Sequence, residues 1–279
     1  MTALLSTPTV RDVDGGEPVD VGLWLAGRWL GDRRRAPLGV PRVAYPPTHL
    51  PRTGAGVRVA LLDGVVDAAH PDLRGARVWD RGRTRVPAVA ATAEGSARAT
   101  AHASLLVGQG ERDVLGLVPD ADLLVVPVLT VGGFTSDELL VRAVRRVVAD
   151  GAQVLVLPFG RRRLGRRVAM VLRTVAESGV RVVVAAGDLG PDVLAFPASV
   201  SGVTAVTAHD DAGLLPGCSA RGDLSAPGSD VPAAGRDGVV RLRGSSPAAV
   251  LAAGVVAAVL GEVHRERREA GERDRLVDA

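Results

Sequence analysis

The chain has 279 residues, enough for one large domain or two small ones, and 47% of them are hydrophobic. This apolar content excludes a disordered chain, because such chains cannot bury enough apolar surface to fold. All 34 basic residues are arginine, and against 31 acids they leave a net charge of +3, a balance that argues against nucleic acid as a partner. The single cysteine, Cys218, excludes an intramolecular disulfide and a cysteine-rich zinc site.

The first 53 residues differ in composition from the rest of the chain. They are rich in proline, glycine and arginine and show no hydrophobic period, so residues 1–53 are predicted to be a loosely packed extension. An alternative is that this extension lies in a substrate groove as an inhibitory arm. The opening residues lack the pattern of a signal peptide, and no apolar run reaches the length of a membrane span. The sequence therefore predicts a cytoplasmic protein without a membrane partner.

From residue 56 onward, short apolar runs alternate with helical segments. Five runs have the near-continuous hydrophobicity of parallel strands covered on both faces; they lie at 57–62, 122–129, 153–159, 180–186 and 203–208. A Thr135–Glu138 capping box and Gly151 bound a predicted helix over 135–151, and Gly179 ends another over 164–179. This alternation predicts an α/β fold with a doubly wound parallel sheet.

The end of the chain divides into an apolar part and a charged part. Residues 247–263 are almost entirely apolar and are predicted to form a buried helix. Residues 264–279 are dense in arginine and acids, which predicts a solvated helix or a frayed tail.

Three polar residues stand where apolar segments end or begin. Asp63 ends the run VALL, His102 opens AHASLLVGQG at the predicted start of a helix, and Ser246 lies in a Gly-Ser-Ser turn before the last apolar segment. In doubly wound sheets the reactive groups gather at the carboxyl ends of the strands. The three residues could act as orienting acid, base and nucleophile, although each taken alone is also explained as a turn or cap residue.

The segments around these residues resemble the motifs of the subtilisin-like serine peptidases (subtilases). GVRVALLDGVVDAAHPDLRG is similar to the family's aspartate motif, HASLLVG to its histidine motif, and GSSPAAVLAAGVVAAVL to its serine motif. The segments GVRVVVAAGDLGPDVLAFPASVSGVTAVTAHDDAG and CSARGDLSAPGSDV follow the family's pattern between them. The resemblance is colinear from about residue 54 to residue 263.

The resemblance implies a subtilisin-like peptidase domain over 54–263, with a mostly parallel seven-stranded sheet and helices on both faces. It implies that His102 removes the proton of Ser246 as the serine attacks a peptide carbonyl, while Asp63 holds the imidazole. The backbone N–H of Ser246 would supply one oxyanion donor. The expected function is that of a dedicated intracellular serine endopeptidase, which processes one peptide or a small set of peptides.

At the oxyanion position, where most of the family has asparagine, this chain has Asp188. An ionised carboxylate has no proton to donate, and even the loss of one donor costs about 3–4 kcal/mol. Activity could survive if burial kept Asp188 protonated, or if the substitution is tolerated, as in one convertase of the family. The alternative function is a pseudopeptidase that binds peptides in the retained groove, which the departures at Gly64 and Ala103 also favour.

The resemblance also implies a substrate-binding strand and a primary pocket. The strand corresponds to Pro158, Phe159 and Gly160, and the pocket lining to Ala185, Ala186 and Gly187. A proline keeps the carbonyl that accepts from an extended peptide, and the small pocket residues imply room for a sizeable side chain. The run RRRLGRR at 161–167 is interpreted as a solvated helix start, with a cationic rim for acidic peptides as the alternative.

Neither a metal nor a cofactor is expected. The family's calcium loop is missing, because GQGERD leads directly into VLGLVPDAD, and the acid pairs Asp120/Asp122 and Asp210/Asp211 lack the ligand spacing of a calcium loop. The predicted partner is a peptide or protein substrate, and the sequence leaves the oligomeric state open.

Overall fold

A sheet of seven parallel strands forms the centre of the computed structural model of the protein, whose described residues are 19–20, 53–81, 93–129, 136–162, 165–210, 212 and 219–277. In spatial order the strands are β3 (Val78–Asp80), β5 (Asp122–Pro127), β2 (Arg58–Asp63), β6 (Val154–Leu157), β7 (Arg181–Ala185), β8 (Thr204–His209) and β9 (Leu224–Pro227). All neighbouring pairs are parallel. The predicted α/β fold with a seven-stranded sheet is confirmed, and each of the five predicted strands is present.

Two short pairs of strands lie outside this sheet. β1 (Val19–Asp20) pairs in parallel with β4 (Val114–Leu115), and β10 (Val231–Gly235) forms an antiparallel hairpin with β11 (Gly238–Leu242). β1 belongs to the predicted extension over 1–53, of which only residues 19–20 and 53 are among the described residues.

Helices cover both faces of the sheet, as the resemblance implied. They are α1 (Ala93–Val107), α2 (Asp137–Ala149), α3 (Arg166–Glu177) and α4 (Ser245–Val277). Successive residues of a strand point to opposite faces, so Val59 and Leu61 of β2 join the core under α1 and α4, whereas Ala60 and Leu62 join the core under α2 and α3. Two hydrophobic cores therefore hold the carboxyl edge of the sheet in place.

The predicted helix ends are largely confirmed. α2 stops before Gly151, which has φ +81°, and α3 stops before Gly179, which has φ +93°. At the start of α2 the capping residue is Ser136, whose Oγ accepts from the backbone N–H of Leu139 at 3.2 Å. The predicted capping residue, Thr135, lies outside the described residues.

α4 is the core helix of the protein. By length and composition Ser245–Ala270 could cross a membrane, but 67% of its apolar window is buried inside the fold. The helix continues without a break past Val263 to Val277, so the charged end of the chain is helical, as one of the two predictions had it. There, Arg265 donates to Glu262 and Glu269, and its hydrogen bond lowers the pKa of Glu262.

Candidate active site

Asp63 and His102 form a buried pair at the carboxyl edge of the sheet. Asp63 is the last residue of β2, and its Oδ2 lies 2.6 Å from Nδ1 of His102, with both residues only 1% exposed. The other carboxylate oxygen, Oδ1, accepts from the backbone N–H of Gly64 at 2.8 Å. Because a carboxylate only accepts, Nδ1 of His102 carries a proton, and in the neutral imidazole Nε2 is then the acceptor. This is the tautomer that a general base needs.

His102 lies inside α1, as its tenth residue. The prediction that His102 opens a helix is wrong, because α1 already begins at Ala93. The residues before His102 are mostly alanine and small polar residues, which favour a helix by propensity but carry no apolar period. An interior position also excludes the interpretation of His102 as a helix cap.

Hydrogen bonds and one close approach fix α1 against the segment that follows β2 and against β10. The hydroxyl of Thr100 accepts from the backbone N–H of Asp67 at 2.9 Å, and the hydroxyl of Ser104 accepts from Ala234 at 2.9 Å. A Cβ at Gly64 would lie 2.8 Å from the carbonyl oxygen of Gly95 in α1. Gly64, which departs from the family motif, is thus the residue that this close packing requires.

Ser246 is the second residue of α4 and is half-buried. The helix begins one residue earlier, at Ser245, so Ser246 is not its N-cap. The interpretation of Ser246 as a cap residue is therefore wrong. Within the described part of the chain, no hydrogen bond joins Ser246 to His102. The structure thus brings Asp63 and His102 together and places Ser246 at a helix start near the end of β7.

Asp188 contacts the residue just before Ser246. Its carboxylate accepts from the backbone N–H of Ser245 at 3.2 and 3.4 Å and from the Ser245 hydroxyl at 3.3 Å. That hydroxyl in turn accepts from the N–H of Gly187 at 3.1 Å. Neighbouring strands are about 4.8 Å apart, so two strand spacings, about 10 Å, separate the ends of β2 and β7. Asp188, Ser246, Asp63 and His102 therefore share one edge of the sheet.

The side chain of Asp188 is exposed, so the hypothesis that burial keeps it protonated is wrong. It follows β7 in a surface loop, where water solvates the carboxylate. In this position it acts as an acceptor at the N-terminus of α4, where the helix dipole favours negative charge. Sequence reasoning missed Ser245, the partner that holds this carboxylate; the only signal for it was its place as the first serine of the Gly-Ser-Ser turn.

The predicted substrate-binding residues lie in two neighbouring segments. Pro158, Phe159 and Gly160 continue from β6, and Ala185, Ala186 and Gly187 end β7 beside it. Ala185 and Ala186 are buried, one in each of the two cores.

Ala195 fills the space between these segments. A Cβ at Gly160 or at Gly187 would lie 2.5 Å from the Cβ of Ala195. Glycine is therefore the residue that fits at both positions while Ala195 lies against them.

The described ranges hold no group of three or more His, Cys, Asp or Glu side chains arranged to bind a metal. Asp72, which is fully buried, instead accepts from three backbone N–H groups of residues 112–114 through Oδ1, at 2.8 to 3.1 Å. His70 pairs through Nε2 with the carbonyl of Gly235 at 2.9 Å. The Asp72 contacts close the short loop after α1, and the His70 contact holds the segment after β2 against the hairpin of β10 and β11. Cys218 lies outside the described residues.

Comparison with known proteins agrees with this architecture. Residues 54–277 match the model of the Subtilase family. The alkaline protease of Alkalihalobacillus alcalophilus is 31% identical over 202 residues, which cover 70% of this chain and 51% of that protein, so the chain spans about half the length of this relative.

Two solved structures are also similar. The protease domain of PatA superimposes with a TM-score of 0.72 at 32% identity, over 79% of this chain and 84% of that one. The prenylagaramide maturation protease PagA gives a TM-score of 0.68 at 30% identity, over 77% of this chain and 79% of that one.

Proposed function

The chain belongs to the subtilase family, and from this premise we propose that it is a serine endopeptidase that uses Asp63, His102 and Ser246. The observation that carries the proposal is the 2.6 Å contact between Asp63 and His102, two side chains that are almost completely buried. Burying a carboxylate and an imidazole has a desolvation cost, and a groove that only binds peptide has no use for the pair. The Asp63–His102 pair is needed, by contrast, when the imidazole acts as the general base that activates a nucleophile.

In the proposed reaction, Nε2 of His102 takes the hydroxyl proton of Ser246 while Oγ forms a bond to the peptide carbonyl carbon. The C–N bond of the resulting tetrahedral intermediate then breaks, and His102 returns the proton to the leaving amine. Water hydrolyses the acyl-enzyme in the same way, which regenerates the serine. Asp63 stabilises the imidazolium that forms in both halves of the reaction.

The oxyanion would be stabilised mainly by α4. The N–H of Ser246 lies in the first turn of this helix, where backbone N–H groups have no acceptor within the helix. Asp188 offers no second donor, because its carboxylate accepts from Ser245. We therefore expect a slow enzyme, which suits a processing protease with few substrates better than a digestive one.

The proposed substrate is a precursor peptide with a small side chain before the cleaved bond. PagA is itself described as a maturation protease, which supports a processing role. Gly160 is exposed at the end of the proposed peptide-pairing segment, whereas Pro158 is buried, and the methyl group of Ala195 lies against both Gly160 and Gly187. At the substrate position before the cleaved bond we expect glycine or alanine to fit, and we expect an aromatic residue to be excluded.

A specific observation also favours the second function, a pseudopeptidase that binds peptide without cleaving it. The exposed carboxylate of Asp188 places negative charge beside the site where the oxyanion would form. The two functions share the fold and the groove, and they differ only in whether Ser246 reacts.

Labelling with a fluorophosphonate serine-hydrolase probe, read by intact mass, separates the two functions. We expect one adduct on the wild-type protein and none on Ser246→Ala, which retains the fold. Labelling of Asp188→Asn but not of the wild type would identify a site disabled at the oxyanion position. Absence of an adduct on both the wild type and Asp188→Asn would overturn the peptidase function and favour a protein that only binds peptides.

A further inference from the structure

Positive charge is concentrated in one part of the chain. Residues 136–180, which include α2 and α3, contain nine arginines and four acids, a net charge of +5. The whole chain has a net charge of +3, so the remaining residues carry −2. The helical layer of α2 and α3 is therefore basic, while the rest of the protein is slightly acidic.

Several arginines of this layer are engaged in ion pairs. Arg161 pairs with Asp137 and stacks on the ring of Phe196, with 5.2 Å between the guanidinium and the ring centre. On α2, Arg142 pairs with Glu138 and Arg146 pairs with Asp150. These arginines contribute to the fold and are not free to bind a ligand.

Four further arginines, one just before α3 and three on it, form no such ion pairs among the residues that the structure describes. Arg162, Arg166, Arg167 and Arg173 are exposed, and no carboxylate of the described residues pairs with them. Arg166 and Arg167 form the first turn of α3, where the helix dipole disfavours positive charge. That turn also has no acidic residue, and its N-cap, Gly165, makes no side-chain capping bond. The carboxylate of Asp137 in α2 lies against Gly165 at this helix start, but it pairs with Arg161 and not with Arg166 or Arg167.

Met170 lies among these arginines and is 61% exposed. It follows Arg166 by four residues and precedes Arg173 by three, so the three side chains lie along one face of the helix. At 1.5 Å per residue, that face is about 10 Å long between Arg166 and Arg173. We call the set of Arg162, Arg166, Arg167, Met170 and Arg173 the arginine face.

The arginine face follows the proposed peptide-pairing segment closely in the chain. α3 follows β6 in the chain, and its first turn lies at the carboxyl edge of the sheet, as Asp63 does. Only residues 161–165 separate Gly160, the end of the proposed peptide-pairing segment, from this turn. A peptide paired with residues 158–160 can therefore extend directly onto α3.

We propose that the arginine face binds an acidic segment of the peptide substrate, outside the residues that are cleaved. Glutamate or aspartate side chains of this segment pair with the arginines, and an apolar side chain packs on Met170. This inference rests on the proposed peptidase function and adds the substrate class. An apolar residue amid four arginines, on a face only two turns long, fits a short peptide better than a nucleic-acid backbone.

The test measures binding rather than cleavage, with Ser246→Ala as the background so that no peptide is cut. The probe is a fluorescein-labelled peptide of glutamate and leucine, followed by fluorescence anisotropy. Arg166→Glu/Arg167→Glu should weaken its binding by about tenfold or more and flatten the salt dependence. Met170→Gln should weaken binding several-fold with the salt dependence unchanged. Glutamates in a first turn stabilise a helix, so a loss of binding is not a loss of folding.

The matched control is Arg145→Glu/Arg181→Glu, two exposed arginines at the opposite edge of the sheet with the same change in charge. Binding by this control should be close to that of the parent. Equal weakening in both pairs, or no binding of the acidic peptide by the parent, would overturn the proposal. Tighter binding of a single-stranded oligonucleotide, lost in the Arg166→Glu/Arg167→Glu protein, would show a nucleic-acid surface instead. Failure of the peptidase function is recognised separately, by the absence of probe labelling on the wild type.

Discussion

Replacing Asp188 by asparagine should accelerate the enzyme. The amide oxygen of asparagine can keep the hydrogen bond from the backbone N–H of Ser245, now 3.2 Å long, and the Ser245 hydroxyl can rotate to accept from the new NH₂ group. The substitution therefore retains the contacts at the start of α4. It removes a negative charge beside the reacting carbonyl oxygen and adds a donor.

The size of the effect follows from the role of one oxyanion donor. Such a donor contributes about 3 kcal/mol to the transition state, and 1.36 kcal/mol corresponds to a tenfold change in rate, so a gain of about 100-fold is expected. Because Asp188 is exposed, water screens the repulsion that is relieved, and we attribute most of the gain to the new donor.

The assay is the second-order rate constant of fluorophosphonate labelling, because phosphonylation of Ser246 also places negative charge on an oxygen. The matched control is Asp192→Asn in the same loop, where the carboxylate is 83% exposed and pairs only loosely with Arg221, at 3.8 Å. Its rate should stay within about twofold of the wild type, since surface charges act weakly. An unchanged rate for Asp188→Asn, or the same gain in both variants, would refute the role given to Asp188.

Three further predictions concern other parts of the structure. Gly64→Ala should destabilise the protein by about 1–3 kcal/mol, because its Cβ would lie 2.8 Å from the carbonyl oxygen of Gly95; an unchanged midpoint of thermal unfolding would contradict this. Ala195→Gly should raise kcat/KM for peptides with a large side chain before the cleaved bond relative to those with alanine, and an unaltered ratio would place the pocket elsewhere. Because its pKa is lowered in the folded protein, ionised Glu262 stabilises the end of α4. This stabilisation is fully present above the pKa that Glu262 has in the unfolded chain, and it is lost as the pH falls through the folded pKa. Glu262→Gln should therefore lower the thermal midpoint at pH 7, by an amount that shrinks as the pH falls through the folded pKa, and a difference independent of pH would argue against this ion pair.

The centre of the fold was predictable because its strands are continuous runs of valine and leucine, which only a sheet covered on both faces accommodates. The edge strands β3 and β9 carry the sequences VWD and LSAP, too short and too mixed to be recognised. The start of α1 was missed because alanine and small polar residues form a helix without an apolar pattern.

The site was predictable in part, from residues that stand at the ends of apolar runs. Asp63 was placed correctly because β2 ends at it, and His102 was selected for its position beside an apolar segment, although the helix that carries it begins earlier than predicted. The contact between Asp188 and Ser245 was not foreseen, since the two residues are 57 positions apart and only the packing of α4 against β7 brings them together. The exposure of Asp188 likewise depends on the path of a loop, which composition does not determine.

The proposed nucleophile belongs to the helix around which one of the two cores is built. Between Ser245 and Ala258 most residues of α4 are buried, and at Gly254 a single added carbon would lie 2.5 Å from Leu117. Unfolding of this core would therefore also remove Ser246 from its place at the helix start. If Ser246 reacts as proposed, the fraction of molecules that takes up one probe counts the folded molecules in a preparation. On heating, labelling should then disappear together with the helical circular dichroism signal, without a folded but unreactive stage between them.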